Sequence, residues 1–303
     1  MNIDTALPAI EAALRATLGN AFRATRAEPV GGGCIHRAFT LTAADGARYF
    51  VKLNDAAKLA MFEAEADGLA AIAATGTFRT PAVLTFGGDA VRAYLVLEHL
   101  VLRPVQSAED GARFAAALVA MHHARGERYG WHRDNFIGAT PQSNLAEANW
   151  AQFFVRHRLQ PQFALARRSG FGGTLQRQAG QLMARVPALF LDYRPQPALL
   201  HGDLWHGNAG IGAAGEPVLY DPACHYGDRE ADLAMSELFG GFPGSFYARY
   251  RRGWPLDTGY EARKPLYCLY HILNHLNLFG RGYLREAERL TMRLNEALSL
   301  RRD

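Results

Sequence analysis

The chain has 303 residues, 49% hydrophobic and 20% charged, which is ample material for a core and excludes wholesale disorder. Its 33 basic and 29 acidic residues leave a formal charge of +4, a field too weak to argue for a nucleic-acid or membrane partner despite a pI near 9.0. Three scattered cysteines, Cys34, Cys224 and Cys268, make neither a disulfide framework nor a metal-ligand spacing.

Residues 5–19 read as a helix, with Ile10, Leu14 and Leu18 at i, i+4 and i+8 and Gly19 as a stop. Asp4, Glu11 and Arg15 are at odds with a secretory signal here, and no uncharged run approaches the ~20 residues of a membrane span, so a soluble cytoplasmic protein is expected. Short apolar stretches near 22–30, 34–42, 48–53, 82–86 and 91–98, punctuated by Gly31-Gly32-Gly33, Asp45-Gly46 and Gly87-Gly88-Asp89, read as an antiparallel meander. One helix, about 56–74, interrupts it, with Leu59, Phe62, Leu69 and Ile72 on one side. Beyond Leu100 the pattern is helical: one helix around Phe114, Leu118 and Met121, then about 149–169, 174–190, 229–240, 264–279 and 284–300. A long loop covers 125–148, and a polar loop separates two apolar runs near 198–222. The pattern predicts a small β-rich N-terminal lobe, residues 1–100, and a larger helical lobe, residues 101–303.

Four constellations carry chemistry. In His201-Gly202-Asp203-Leu204-Trp205-His206-Gly207-Asn208, an Asp precedes an Asn by five residues, the pattern of a phosphotransferase loop in which the Asp takes a hydroxyl proton and the Asn faces a metal ion. The alternative is a turn rich in Asx residues. Asp221 ends the apolar run Val218-Leu219-Tyr220, and lies 13 residues after Asn208, as a metal-binding carboxylate of a kinase would; the alternative is a strand-ending Asx turn before Pro222. Lys52, in Tyr49-Phe50-Val51-Lys52-Leu53, resembles a strand lysine that holds phosphates, and it is one of only three lysines, with Lys58 and Lys264. Its acidic partner is expected on the following helix, where both Glu63 and Glu65 stand; the spacing favours Glu65. The alternative for Lys52 is an edge-strand lysine that snorkels to water. Finally, Gly31, Gly32 and Gly33 precede Lys52 by about 20 residues, where backbone N–H groups can approach phosphates. These features stand in the order that a kinase requires.

On these residues the sequence resembles the fructosamine kinase family, the ketosamine-3-kinases, which are relatives of aminoglycoside phosphotransferases and choline kinases. The resemblance runs nearly end to end: GGGCI at 31–35, FVK at 50–52, MFEAEADGL at 61–69, LVLEHL at 95–100, GWHRDNFIG at 130–138, PQSN at 141–144, FFVRHRL at 153–159, LLHGDLWHGN at 199–208, YDPA at 220–223, GDREADLAM at 227–235 and LFGGFP at 238–243. It implies an α+β, bilobed protein-kinase-like fold with ATP and Mg²⁺ in the cleft. It further implies Asp203 as base, Asn208 and Asp221 as Mg²⁺ ligands, Lys52 on the phosphates and Glu65 orienting Lys52. Asp232 would brace the catalytic loop, and Glu98, His99 and Leu100 would lie at the adenine-side connector. Asp228 reads instead as first-turn helix chemistry. The implied reaction phosphorylates the sugar 3-hydroxyl of a ketosamine, a small amine or a protein lysine carrying a ketose, and the unstable product then sheds its sugar. Two departures stand out: His36 where the family often has Asn, and His206 where many relatives have Ser. Trp205 and His206 lie on the acceptor side, so His206 bears on acceptor choice.

A kinase for another small hydroxylated amine, of choline or aminoglycoside type, is the rival within enzymes; a nucleotide-binding pseudokinase is the rival outside them. The adjacent His122 and His123 resemble a metal pair only superficially, since neighbours on a helix diverge. Cys34, beside the glycines and upstream of Lys52, is a candidate redox thiol, against the plainer reading of a small residue that fits its loop.

Overall fold

The computed structural model describes residues 3–31 and 35–300, and these divide into two compact units. The first comprises Met1–Arg103 together with Gly210–Asp221; the second comprises Pro104–Ala209 and Pro222–Asp303. The architecture is α+β, with one five-stranded antiparallel sheet and many helices. Among the described residues no helix is long and apolar enough to cross a membrane.

In the first unit the strands are β1 Ala24–Val30, β2 Arg37–Ala43, β3 Arg48–Asp55, β4 Val83–Gly88 and β5 Arg92–Glu98, with helix α1 Leu7–Leu18 before them and α2 Leu59–Ala74 between β3 and β4. The sheet order is β1-β2-β3-β5-β4, so the expected simple meander holds only as far as β3. Ala93 to Leu97 of β5 are all buried, so no water reaches its backbone, and a place between β3 and β4 pairs its N–H and C=O groups on both edges. Side chains alternate across a strand. Ala93, Leu95 and Leu97 pack with Phe62 and Leu69 of α2, whereas Tyr94 and Val96 pack with Ile10 and Leu14 of α1. Val51 and Leu53 of β3 join the α1 side, which leaves Lys52 on the face covered by α2.

The segment Gly210–Asp221 is tied to this unit by backbone bonds. Arg79 donates to the Pro217 carbonyl and accepts from Leu219 N–H, both at 3.0 Å, and Arg103 exchanges bonds with Ile211 at 3.0 and 2.8 Å. A hairpin of Ala209–Ile211 with Pro217–Leu219 then delivers Asp221 two residues past its second strand.

The second unit is mainly helical. Helix α3, Ala108–His122, opens with a capping box in which the Ser107 hydroxyl accepts the Asp110 N–H at 3.0 Å. A helix at Gly244–Gly253 packs against it through Phe246, with Phe242 stacked on Phe114 at 5.2 Å. The sequence pattern did not reveal this helix, because glycines and arginines dilute its apolar stripe. The helix expected at 149–169 is present but broken: Trp150–Phe154, a π turn at Val155–Leu159, then Gln160–Arg168. The turn carries Arg158, whose buried guanidinium donates to the Ser143 carbonyl at 2.6 Å and to Asn144 Oδ1 at 2.7 Å, bracing the long 125–148 loop. The helix expected to begin at 264 starts a turn earlier, Tyr260–Phe279, with Pro265 inside it. Arg263 anchors that extra turn through two bonds to buried Glu230 at 2.8 and 2.9 Å and one to Asp257. The last helix is Leu284–Ser299.

Candidate active site

Each unit carries part of the expected site. In the first, Lys52 is buried and its Nζ donates to Glu65 Oε1 at 2.6 Å and to Asp221 Oδ1. Strand period 2 turns Lys52 toward α2, and Glu65 lies on the same side of that helix as Phe62 and Leu69, three and four residues away. Glu63, one residue past Phe62, is turned aside. Burial alone would lower the Lys52 ammonium, but Asp221 and Glu65 outweigh it and hold it above the ordinary lysine range. Two carboxylates thus share one ammonium. Glu65 is the more enclosed, and burial, with the Asp221 charge nearby, raises it to about 7 against the opposing pull of Lys52.

Asp221 is the non-glycine residue with positive φ among the described residues, at +55°. Aspartate tolerates this region better than most side chains, but it is an uncommon conformation that clusters at functional sites. Gly31 is exposed at the end of β1, whereas Gly32, Gly33 and Cys34 lie outside the described residues. Just beyond them, Asn54 Nδ2 donates to the Ile35 carbonyl at 3.3 Å and to His36 Nδ1 at 2.8 Å, so the strand that bears Lys52 also anchors the exit of the glycine segment. Burial, then the Lys52 charge, holds His36 neutral by lowering it to about 4. Glu98 ends β5 with its carboxylate on Arg79 and the Ala82 N–H, and His99 meets Arg48 at 3.2 Å; the backbone after them runs through Leu100.

In the second unit, the strand Ala198–Leu200 pairs with His225–Gly227 and runs straight into His201-Gly202-Asp203. Gly202 has φ +83°, and a Cβ there would meet the Ala223 carbonyl oxygen at 2.1 Å, so only glycine fits. Asp232, on the helix Glu230–Leu238, pins this turn: Oδ2 accepts the His201 N–H at 2.7 Å and Oδ1 accepts the Gly202 N–H at 2.9 Å. Despite full burial, which works the other way, bonding to His122 and the loop N–H groups holds its carboxyl below the usual range. Behind it stands a relay that sequence reasoning missed. His122, lowered by burial and therefore neutral, donates from Nε2 to Asp232 at 3.2 Å and accepts the Tyr250 hydroxyl at Nδ1 at 2.7 Å; Arg229 donates to Tyr250 at 3.2 Å. Asp228 accepts Tyr193 and Tyr267 hydroxyls at 2.9 and 2.6 Å as well as the Glu230 N–H at 3.0 Å, which makes it a buried hub rather than simple first-turn chemistry.

Asn208 Nδ2 donates to the Asp203 carbonyl at 3.0 Å and to Asp203 Oδ2 at 3.1 Å, so the two residues of the five-residue spacing hold each other. This leaves the Asn208 amide oxygen for another partner. Trp205 is half-buried beside Phe239, its ring filling the space where Gly207 would carry a Cβ, and His206 is exposed. A carboxylate held by a neutral amide can serve as a general base, and a buried ammonium flanked by carboxylates can present a fixed charge to phosphate oxygens.

Residues 6–297 match the profile of the family described as fructosamine kinase. A Synechocystis protein assigned as a ketoamine kinase is 49% identical over 276 residues, covering 90% of this chain and 92% of its own. The Arabidopsis thaliana chloroplastic protein-ribulosamine 3-kinase is 40% identical over 278 residues, 89% of this chain and 83% of its own. A crystal structure from Haemophilus somnus, assigned as a fructosamine-3-kinase, superposes with a TM-score of 0.87 at 29% identity, covering 94% of this chain and 96% of its own. An aminoglycoside phosphotransferase at 16% identity, TM-score 0.63, shares the fold.

Proposed function

Because the chain belongs to the fructosamine kinase family, a family of phosphotransferases with an alcohol group as acceptor, we propose that it transfers the γ-phosphoryl group of ATP to the sugar 3-hydroxyl of a ketosamine, free or on a protein. The observation that carries this reading is the Asp203–Asn208 pair on a turn that Asp232 pins at two backbone N–H groups. The relatives' names, ketoamine kinase and protein-ribulosamine 3-kinase, support the acceptor class.

In this reading the first unit holds nucleotide and the second holds the acceptor and the base. Asp203 orients the attacking hydroxyl and accepts its proton on a carboxylate oxygen. Lys52, fixed by Glu65, presents its ammonium to phosphate oxygens, and the glycine segment and the Glu98–Leu100 connector serve the nucleotide with backbone groups. Among the described residues no cluster of three or more His, Cys, Asp or Glu is placed to hold a metal. Mg²⁺ takes one or two protein oxygens and completes its shell with phosphate and water. The Asn208 amide oxygen and the Asp221 carboxylate are hard donors of that kind. When bound there, ATP would supply the phosphoryl group, and Mg²⁺ would offset the charge of its phosphates. Trp205 and His206 line the acceptor side. Release of the sugar from the 3-phosphate would free the amine, a deglycation.

The test is ADP release with fructosyl-, ribulosyl- and erythrulosyl-lysine against choline and an aminoglycoside, with Mg·ATP. Turnover of at least one ketosamine well above the two others is expected. Turnover of choline or the aminoglycoside alone overturns the acceptor class.

A further inference from the structure

His271 lies on the helix Tyr260–Phe279, is buried, and has no role among the motifs of the sequence. Its Nδ1 is a buried polar atom with no hydrogen-bond partner. Such atoms are uncommon, and each asks for an explanation. The same Nδ1 stands 3.9 Å from Asp203 Oδ1. That is too long for a hydrogen bond, but about 1 Å of movement would make one.

Burial pushes His271 down to about 3, so its ring is neutral and carries one N–H. Beside a carboxylate, a lone pair on Nδ1 would face like charge, whereas an N–H there faces an acceptor. The Nδ1–H tautomer is therefore the favourable one. The ring also borders a cavity of about 10 Å³, lined by Gly202, Asp232, His225, Arg158 and Tyr270, at the lower limit for one water. A small shift of the ring therefore need not displace a close-packed neighbour.

Resting on the kinase reading above, we propose that His271 is a positioning residue for Asp203, donating from Nδ1–H to Oδ1 when the acceptor is bound. Asn208 already donates to Oδ2 at 3.1 Å. With a donor on each oxygen the carboxylate can no longer rotate, and each oxygen keeps a lone pair for the acceptor hydroxyl. No proton passes through His271. Catalytic hydrogen bonds are often long before substrate binds, as this one is.

The test compares His271→Leu, His271→Asn and His271→Gln in steady-state kinetics on a ketosamine. The Leu variant keeps the volume and should lose about 10–100-fold in kcat, the scale of a misplaced catalytic group, while both KM values stay within about twofold. The Asn amide nitrogen falls near the Nδ1 position and should restore most of kcat; the Gln amide, which matches Nε2, should not. Wild-type kcat in the Leu variant, or equal rescue by Asn and Gln, overturns the proposal. Where a variant fails to fold, imidazole ¹⁵N NMR of the wild type decides. A neutral Nδ1–H tautomer that weakens in Asp203→Ala is expected; an Nε2–H tautomer indifferent to Asp203 overturns it. If the wild type turns over no ketosamine, the acceptor reading fails, while the tautomer measurement still judges His271.

Discussion

Asp232→Asn isolates the brace beneath the His201–Asp203 turn. Both carboxylate oxygens of Asp232 accept a backbone N–H, from His201 at 2.7 Å and from Gly202 at 2.9 Å. An asparagine has one oxygen, so whichever way its amide is turned, one N–H of the turn faces an NH₂. The variant loses a charge-assisted bond and leaves a buried donor unmet, together about 2–4 kcal/mol. At about 2–4 °C per kcal/mol for a unit of this size, the melting temperature should fall by roughly 5–15 °C. Because Gly202, at φ +83°, immediately precedes Asp203 in the same turn, loss of the brace should also move Asp203, and a displacement near 1 Å costs on the order of 10²-fold in rate. Calorimetry and ADP release measure the two effects. A melting temperature within about 1 °C of wild type with kcat within about twofold would show that the turn holds its shape by other means and refute the reasoning.

Four further outcomes are expected. Lys52→Met leaves Glu65 as a buried carboxylate without its ammonium and should cost about 3–5 kcal/mol in denaturant unfolding, much of it recovered by adding Glu65→Gln; equal losses in single and double variants would show that the pair does not couple. Asp203→Ala should lower kcat by about 10²–10⁴-fold with nucleotide affinity retained by calorimetric titration; wild-type turnover would remove Asp203 from the role of base. Asp221→Asn should raise the Mg²⁺ concentration needed for half-maximal rate, since a charged donor becomes neutral, and an unchanged Mg²⁺ profile would leave Asp221 with only its turn. His36 and His271 are depressed to about 4 and about 3, so the stability they contribute is present above the unfolded value near 6.5 and is lost as pH falls toward the folded values. Each should steepen the loss by about 1.4 kcal/mol per pH unit below 6.5, and His36→Asn should flatten the melting-temperature profile between pH 6.5 and 4.5; an identical profile would contradict the assignment.

Much of this protein was legible in its sequence because the determinants are local. Short apolar stretches at 48–53 and 91–98 set off by turn residues, and period-3.6 stripes in 5–19 and 56–74, depend only on neighbours along the chain, and the helices and strands formed there. The Asp203/Asn208 spacing is also local, and one turn brings the two side chains together. Lys52 with Glu65 needed one further step, a strand facing the helix that comes after it. What the tertiary structure decided involves residues far apart in sequence. β5 lies between β3 and β4, where its buried backbone pairs on both edges, an arrangement that no single stretch announces. Asp221 meets Lys52 because Arg79 and Arg103 bind the 210–221 segment by backbone bonds, and backbone bonds leave no mark on residue identity. His122 and Asp232 are 110 residues apart, and His271 and Asp203 are 68 apart; burial strips these groups of water and makes their few polar contacts decisive, and that burial exists only once the helices have packed.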